Sequence, residues 1–139
     1  MEVRVASGAA VGSAAVASPA NEPAIARLEH LVRGSVQVLV DRLPYVTLLL
    51  RVHGNSPVER RALHRRRQFD RLVADLVKEA EGDGAIRPDI DPAATARLLF
   101  GMVNSIVEWY RPGGPADPAR LADSVCTVAF DGLRVRRAG

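Results

Sequence analysis

An all-α fold is what this sequence predicts, a bundle of five helices in one domain. Three observations carry that expectation. Apolar residues recur at three- and four-residue spacing in every long segment beyond residue 20. Nothing alternates with period two for long enough to make a strand. Proline, glycine and acidic cap residues then punctuate the chain where helices should start and stop. With 139 residues, 47% of them hydrophobic and 25% charged, the chain can bury one modest core and is not of disordered composition.

The elements follow in order. Residues 1 to 20 are rich in Ala, Gly and Ser, too small to offset the entropy of ordering, and are expected to be a flexible leader. Ala15-Val16-Ala17 has the small-residue pattern of a signal-peptidase site, but Gly8 and Gly12 break the stretch before it and no Leu or Phe enriches it. Asn21 or Glu22 followed by Pro23 then signals a first helix. Ile25, Leu28, Leu31, Val32, Val36, Leu39 and Leu43 form its apolar stripe, with Glu29, His30, Arg33, Gln37 and Asp41 opposite. Pro44 ends or kinks it, and YVTLLLRVH forms a short second helix closed by Gly54.

Ser56-Pro57-Val58-Glu59 is a capping box with proline at the first helical position, and it opens a third helix that the GDG sequence after Glu81 stops. Asp91-Pro92 starts a fourth helix ending near Arg111, ahead of Pro112-Gly113-Gly114-Pro115. Asp117-Pro118 starts a fifth, running towards Arg136.

The last two helices are apolar over too much of their circumference. On the helix 92–111, Arg97, Gly101, Asn104, Glu108 and Arg111 leave an apolar arc of about 200°, where one core face needs about 100°. The final helix is similar. A second burial, between two copies of the chain, is therefore expected, with a four-helix seam. Its expected members are Met102, Ile106, Trp109 and Tyr110 on one helix, and Leu121, Ala122, Val125, Val128, Ala129 and Gly132 on the other.

The run Gly84-Ala85-Ile86-Arg87-Pro88-Asp89-Ile90-Asp91-Pro92, the segment LLFGMVNSIVEWYRPGG, and Asp117-Pro118 with a helix ending in DGLR resemble the C-terminal half of TetR-family transcriptional regulators. The likeness covers residues 22 to 136 and is greatest to the branch whose penultimate helix closes in WYRPGG, which includes regulators of lipid and acyl-CoA metabolism. It implies a ligand-binding and dimerisation domain over residues 21–139 that pairs as a homodimer through its last two helices and binds a small effector inside the bundle. The family's helix-turn-helix is not carried by residues 1 to 20, so contact with DNA is expected only through a helix-turn-helix absent from this chain.

Candidate effector contacts are apolar, as small-molecule pockets mostly are. They are Val46, Leu49 and Leu50 on the short helix, Phe69 and Leu72 on the long one, and Phe100, Val103 and Val107 on the fourth. Polar candidates are His53, Asn104 and Arg65. Arg65 falls within an otherwise apolar stripe, where a buried guanidinium would need an anionic partner. An effector that met it would be anionic as well as apolar. The bland reading is that Arg65 reaches out to solvent or pairs with a carboxylate such as Asp41 or Glu108.

Other functions fit less well. Net charge is only +3, and RRALHRRRQFDR lacks an aromatic platform, so a basic nucleic-acid-binding helix is the weaker alternative. A headless accessory protein that heterodimerises with a full-length regulator would use the same seam. His30, His53 and His64 lack metal-ligand spacing, and no phosphate loop or nucleophile elbow occurs, so neither enzyme chemistry nor a cofactor is expected. The lone Cys126 precludes an intrachain disulfide and fits a reducing cytoplasm, and no apolar run is long enough to span a membrane.

Overall fold

The computed structural model describes residues 21–43 and 56–135. Among them are four helices: α1 (Ala24–Asp41), α2 (Pro57–Gly82), α3 (Pro92–Trp109) and α4 (Pro118–Leu133). The flexible leader and the short helix expected at YVTLLLRVH lie outside the described residues, so the observed count is four where five are expected.

Local chemistry sets the helix starts. Ser56 Oγ accepts a hydrogen bond from the Glu59 N–H at 3.1 Å, Asp91 from Ala94 at 3.0 Å, and Asp117 from Ala119 at 3.2 Å. In each case a proline follows at the first helical position, where its missing N–H costs nothing. At α1 the start differs from expectation. Pro23 itself occupies the cap position, without a side-chain cap, and its carbonyl accepts from the N–H groups of Ala26 and Arg27.

Helix α1 is central: it packs on the other three, α3 rests chiefly on α2, and α3 and α4 touch each other little. Leu28, Leu31, Val32 and Val36 of α1 are fully buried, joined by Val73 and Val77 of α2, Val103 and Ile106 of α3, and Phe130 of α4. The one buried hydroxyl on α1, Ser35, donates to the Leu31 carbonyl at 2.8 Å and so does not orphan a polar group in the core.

The polar face of α1 is not simply solvated. Arg33 pairs with Asp123 of α4, and Glu29 accepts from Arg134 at 3.2 Å, while the Arg134 guanidinium lies 5.9 Å over the Phe130 ring. The α2–α3 turn does further work. Gly84, at φ 79°, takes the left-handed conformation that ends α2. Beyond it the chain lies alongside the end of α4: Arg87 N–H donates to the Leu133 carbonyl at 2.9 Å, Val135 N–H to Ala85 at 3.3 Å, and Ile86 pairs with Arg134 as an isolated antiparallel bridge. Arg87 also forks onto both oxygens of Asp89 at 2.6 and 2.7 Å, which holds the turn in shape.

Candidate functional site

Three surfaces bear on function, and the residues expected from sequence divide among them. The first is the contact between α2 and α3. Phe69 and Phe100 meet edge to face, with centroids 4.9 Å apart and planes at 83°, a favourable arrangement for aromatic quadrupoles. Phe100 and Val103 are buried, Phe69, Asn104 and Val107 are half-buried around them, and Leu72 sits at the exposed margin. Val46, Leu49, Leu50 and His53 lie outside the described residues.

Arg65 is a correction. It is exposed, and Arg66 is the guanidinium drawn in towards the core side. The helical period explains the exchange. Four residues on from Ala62 and three back from Phe69 both land on position 66, so the buried stripe passes through Arg66 and leaves Arg65 turned away.

The second surface is the flank of α3 and α4. Of the residues expected at a dimer seam, Ile106, Tyr110, Val125 and Ala129 are sealed inside the single chain. Helix α3 packs on α2 and α1, and α4 chiefly on α1, so a wide apolar arc supplies the chain's own core before it can supply anything else. Met102, Leu121 and Ala122 are half-buried, and Trp109, Val128 and Gly132 are exposed. Trp109 is 53% and Val128 66% exposed, and they are joined by Leu98, exposed at 73%. Leu98, Met102, Ser105 and Trp109 recur at four-, three- and four-residue steps along α3. Leu121, Ser124, Val128 and Gly132 recur at three-, four- and four-residue steps along α4. Leu98 belongs to this strip and was not among the residues expected there. Its neighbours on the wheel are equally apolar, so nothing local distinguishes it.

The third surface is a groove between α2 and α3 of about 360 Å³, near the lower end of ligand-pocket sizes. Arg67, Asp70, Arg71 and Ala74 line it from α2, and Ala93 and Arg97 from α3. Partial burial pushes the Asp70 carboxyl above the usual carboxylate range, against the opposing pull of Arg66 and Arg97. Sequence reasoning missed this groove, since it exists only where two helices meet. Cys126 is a neutral thiol in the core, its pKa raised chiefly by burial, and it reads as the small hydrophobe its helical position implies. Among the described residues no group of His, Cys, Asp and Glu could hold a metal ion, and no helix is long and apolar enough to cross a membrane.

Comparison with known proteins gives a consistent pattern. Residues 21–133 match the family model described as "Tetracyclin repressor-like, C-terminal domain". The HTH-type transcriptional repressor KstR2 of Mycolicibacterium smegmatis is 26% identical over 69 residues, which is 50% of this chain and 34% of that protein. The chain thus matches about a third of the length of this curated relative. Among solved structures, SCO3833 of Streptomyces coelicolor A3, a member of the TetR transcriptional regulator family, superimposes with a TM-score of 0.86 at 43% identity, over 96% of this chain and 69% of that one. AibR in complex with isovaleryl coenzyme A and operator DNA shares the fold, with a TM-score of 0.69 at 21% identity, over 91% of this chain and 74% of that one.

Proposed function

From its membership of the TetR family of transcriptional regulators, to which this chain belongs as a C-terminal domain, we propose that it is the effector-sensing and dimerisation portion of a repressor. The observation that carries this reading is the apolar strip on α3 and α4. A lone subunit leaves Leu98, Trp109 and Val128 in water, with Met102 half-buried on the same side of α3. Burying such a strip against its own copy removes two apolar surfaces at once, and a two-fold pairing of α3 and α4 makes the strip self-complementary.

The effector of this reading is an apolar, acyl-type molecule seated at the aromatic pair of α2 and α3, where Phe69, Leu72, Phe100, Val103 and Val107 offer apolar contact and Asn104 a single orienting polar group. Support comes from the AibR complex, in which a protein of the same fold holds isovaleryl coenzyme A. An effector that binds one arrangement of α2 and α3 better than another shifts the balance between them and alters the spacing of the DNA-binding heads in the whole regulator.

Trp109, the only tryptophan, reports directly on the strip. In the dimer its indole is shielded, so acrylamide should quench its fluorescence poorly at micromolar protein. Quenching should become efficient in Leu98→Asp, whose charge cannot be buried unpaired. Ready quenching in the unaltered chain at all concentrations contradicts the proposal.

A further inference from the structure

We infer that the groove between α2 and α3 is an anion site that takes a phosphate-ester or pyrophosphate group through Arg67, Arg71 and Arg97. Arg67 and Arg71 of α2 and Arg97 of α3 line one open groove together with Asp70. Among the described residues no carboxylate lies within ion-pair distance of any of the three, although Arg27, Arg33, Arg87 and Arg134 all have one; Arg71 Nε donates only to the Arg67 carbonyl, at 3.4 Å. Exposed arginines along a single helix are commonly just a solvated face. Here Arg97 comes from the neighbouring helix α3, which a solvated face of α2 does not explain. Ala74 and Ala93 are the two small residues of the lining.

The composition of the groove favours phosphate over carboxylate. Three forked cations against the single carboxylate of Asp70 leave an excess of two positive charges, which suits a dianion. Asp70 shares the lining with the cations and is only partly solvated, its carboxyl raised by burial against the pull of Arg66 and Arg97. Its charge therefore holds Arg66 and Arg97 in place while weakening anion binding, so its removal should strengthen the site.

This assignment rests on the effector-sensing reading, because it gives the acyl-type effector a second anchor. Asp70 follows Phe69 directly and Arg97 precedes Phe100 by one turn, so the groove flanks the aromatic pair. An effector with an acyl end at the rings and a phosphorylated end in the groove would span both.

The test is a titration of the chain with sodium pyrophosphate, followed by backbone amide shifts and calorimetry, with coenzyme A and a short DNA duplex as further arms. Saturable binding is expected, with shifts centred on Ala74, Ala93 and Arg97. Arg71→Gln and Arg97→Gln should each weaken it by about tenfold, the worth of one charge-assisted bidentate contact. Arg60→Gln, on the same helix but outside the groove, should leave it unchanged, and Asp70→Asn should tighten it. All four positions lie on the surface or at its margin, so circular dichroism should show the fold intact, and Arg67→Gln serves if one variant misfolds. The site is overturned if pyrophosphate does not saturate, if Arg60→Gln costs as much as Arg97→Gln, or if only the duplex binds, with shifts spread along Arg60, Arg61 and Arg65. Binding of pyrophosphate without binding of any coenzyme A thioester would keep the groove and overturn the effector reading instead.

Discussion

Two aspartates in this chain answer pH with opposite sign. Asp89, held by both arms of the Arg87 fork, titrates below the usual carboxylate range because its hydrogen bonds to the guanidinium favour the charged form. A carboxylate with a lowered folded pKa adds stability above its unfolded pKa and loses it as pH falls through the folded one. Asp70 is the reverse. Burial raises it, so its ionised form burdens the fold, and the burden grows as pH rises from the ordinary carboxylate value through the raised one. Urea denaturation of Asp89→Asn should show a deficit at pH 7 that vanishes in strong acid. Asp70→Asn should show a gain at pH 7 that vanishes in the same way. Both residues stand in the sequence in plain view, yet the sign is legible only for Asp89, which sits two residues from its partner. For Asp70 the sign depends on α3 lying across it.

At the scale of elements, the helix boundaries were the most legible part of the chain, because they are decided within four residues. Ser56, Asp91 and Asp117 each precede a proline and each caps the helix it was expected to cap. Ser56→Ala should accordingly lower stability by about 1 kcal/mol, and Gly84→Ala by about 1–2 kcal/mol, since Gly84 is left-handed and a β-carbon there is strained even in open space. Chemical denaturation with an unchanged m-value checks both. Less legible was the rotation of each helix about its axis. Arg65 and Arg66 differ by one position, and a stripe phased from the wrong end exchanges them. The same uncertainty hid which part of the wide arc on α3 serves the core, so Ile106 and Tyr110 turned inward while Leu98 turned out. The bridge between the Gly84–Arg87 turn and the end of α4 joins segments almost fifty residues apart, and no local pattern announces it.

For the molecule as a whole, the account turns on an imbalance between apolar surface and core. Helix α1 is the most thoroughly covered: Leu28, Leu31, Val32, Val36 and Leu39 are buried under the other three helices, and Ile25, Val38 and Val40 are half-buried. Helices α3 and α4 complete that cover and still present Leu98, Trp109 and Val128 to solvent, close enough to the half-buried Met102, Leu121 and Ala122 to form a strip on each helix. Scattered exposed apolar residues are ordinary on a soluble protein, but aligned ones at helical spacing mark a contact surface. The excess of apolar residues was visible in the sequence; its placement needed the fold. Sedimentation velocity over a range of micromolar concentrations tests this most directly. The unaltered chain should sediment with twice the mass of one chain, and Leu98→Asp combined with Val128→Asp should sediment as a folded single chain. An unaltered chain that stays single throughout that range, or a double variant that still pairs, would contradict the account.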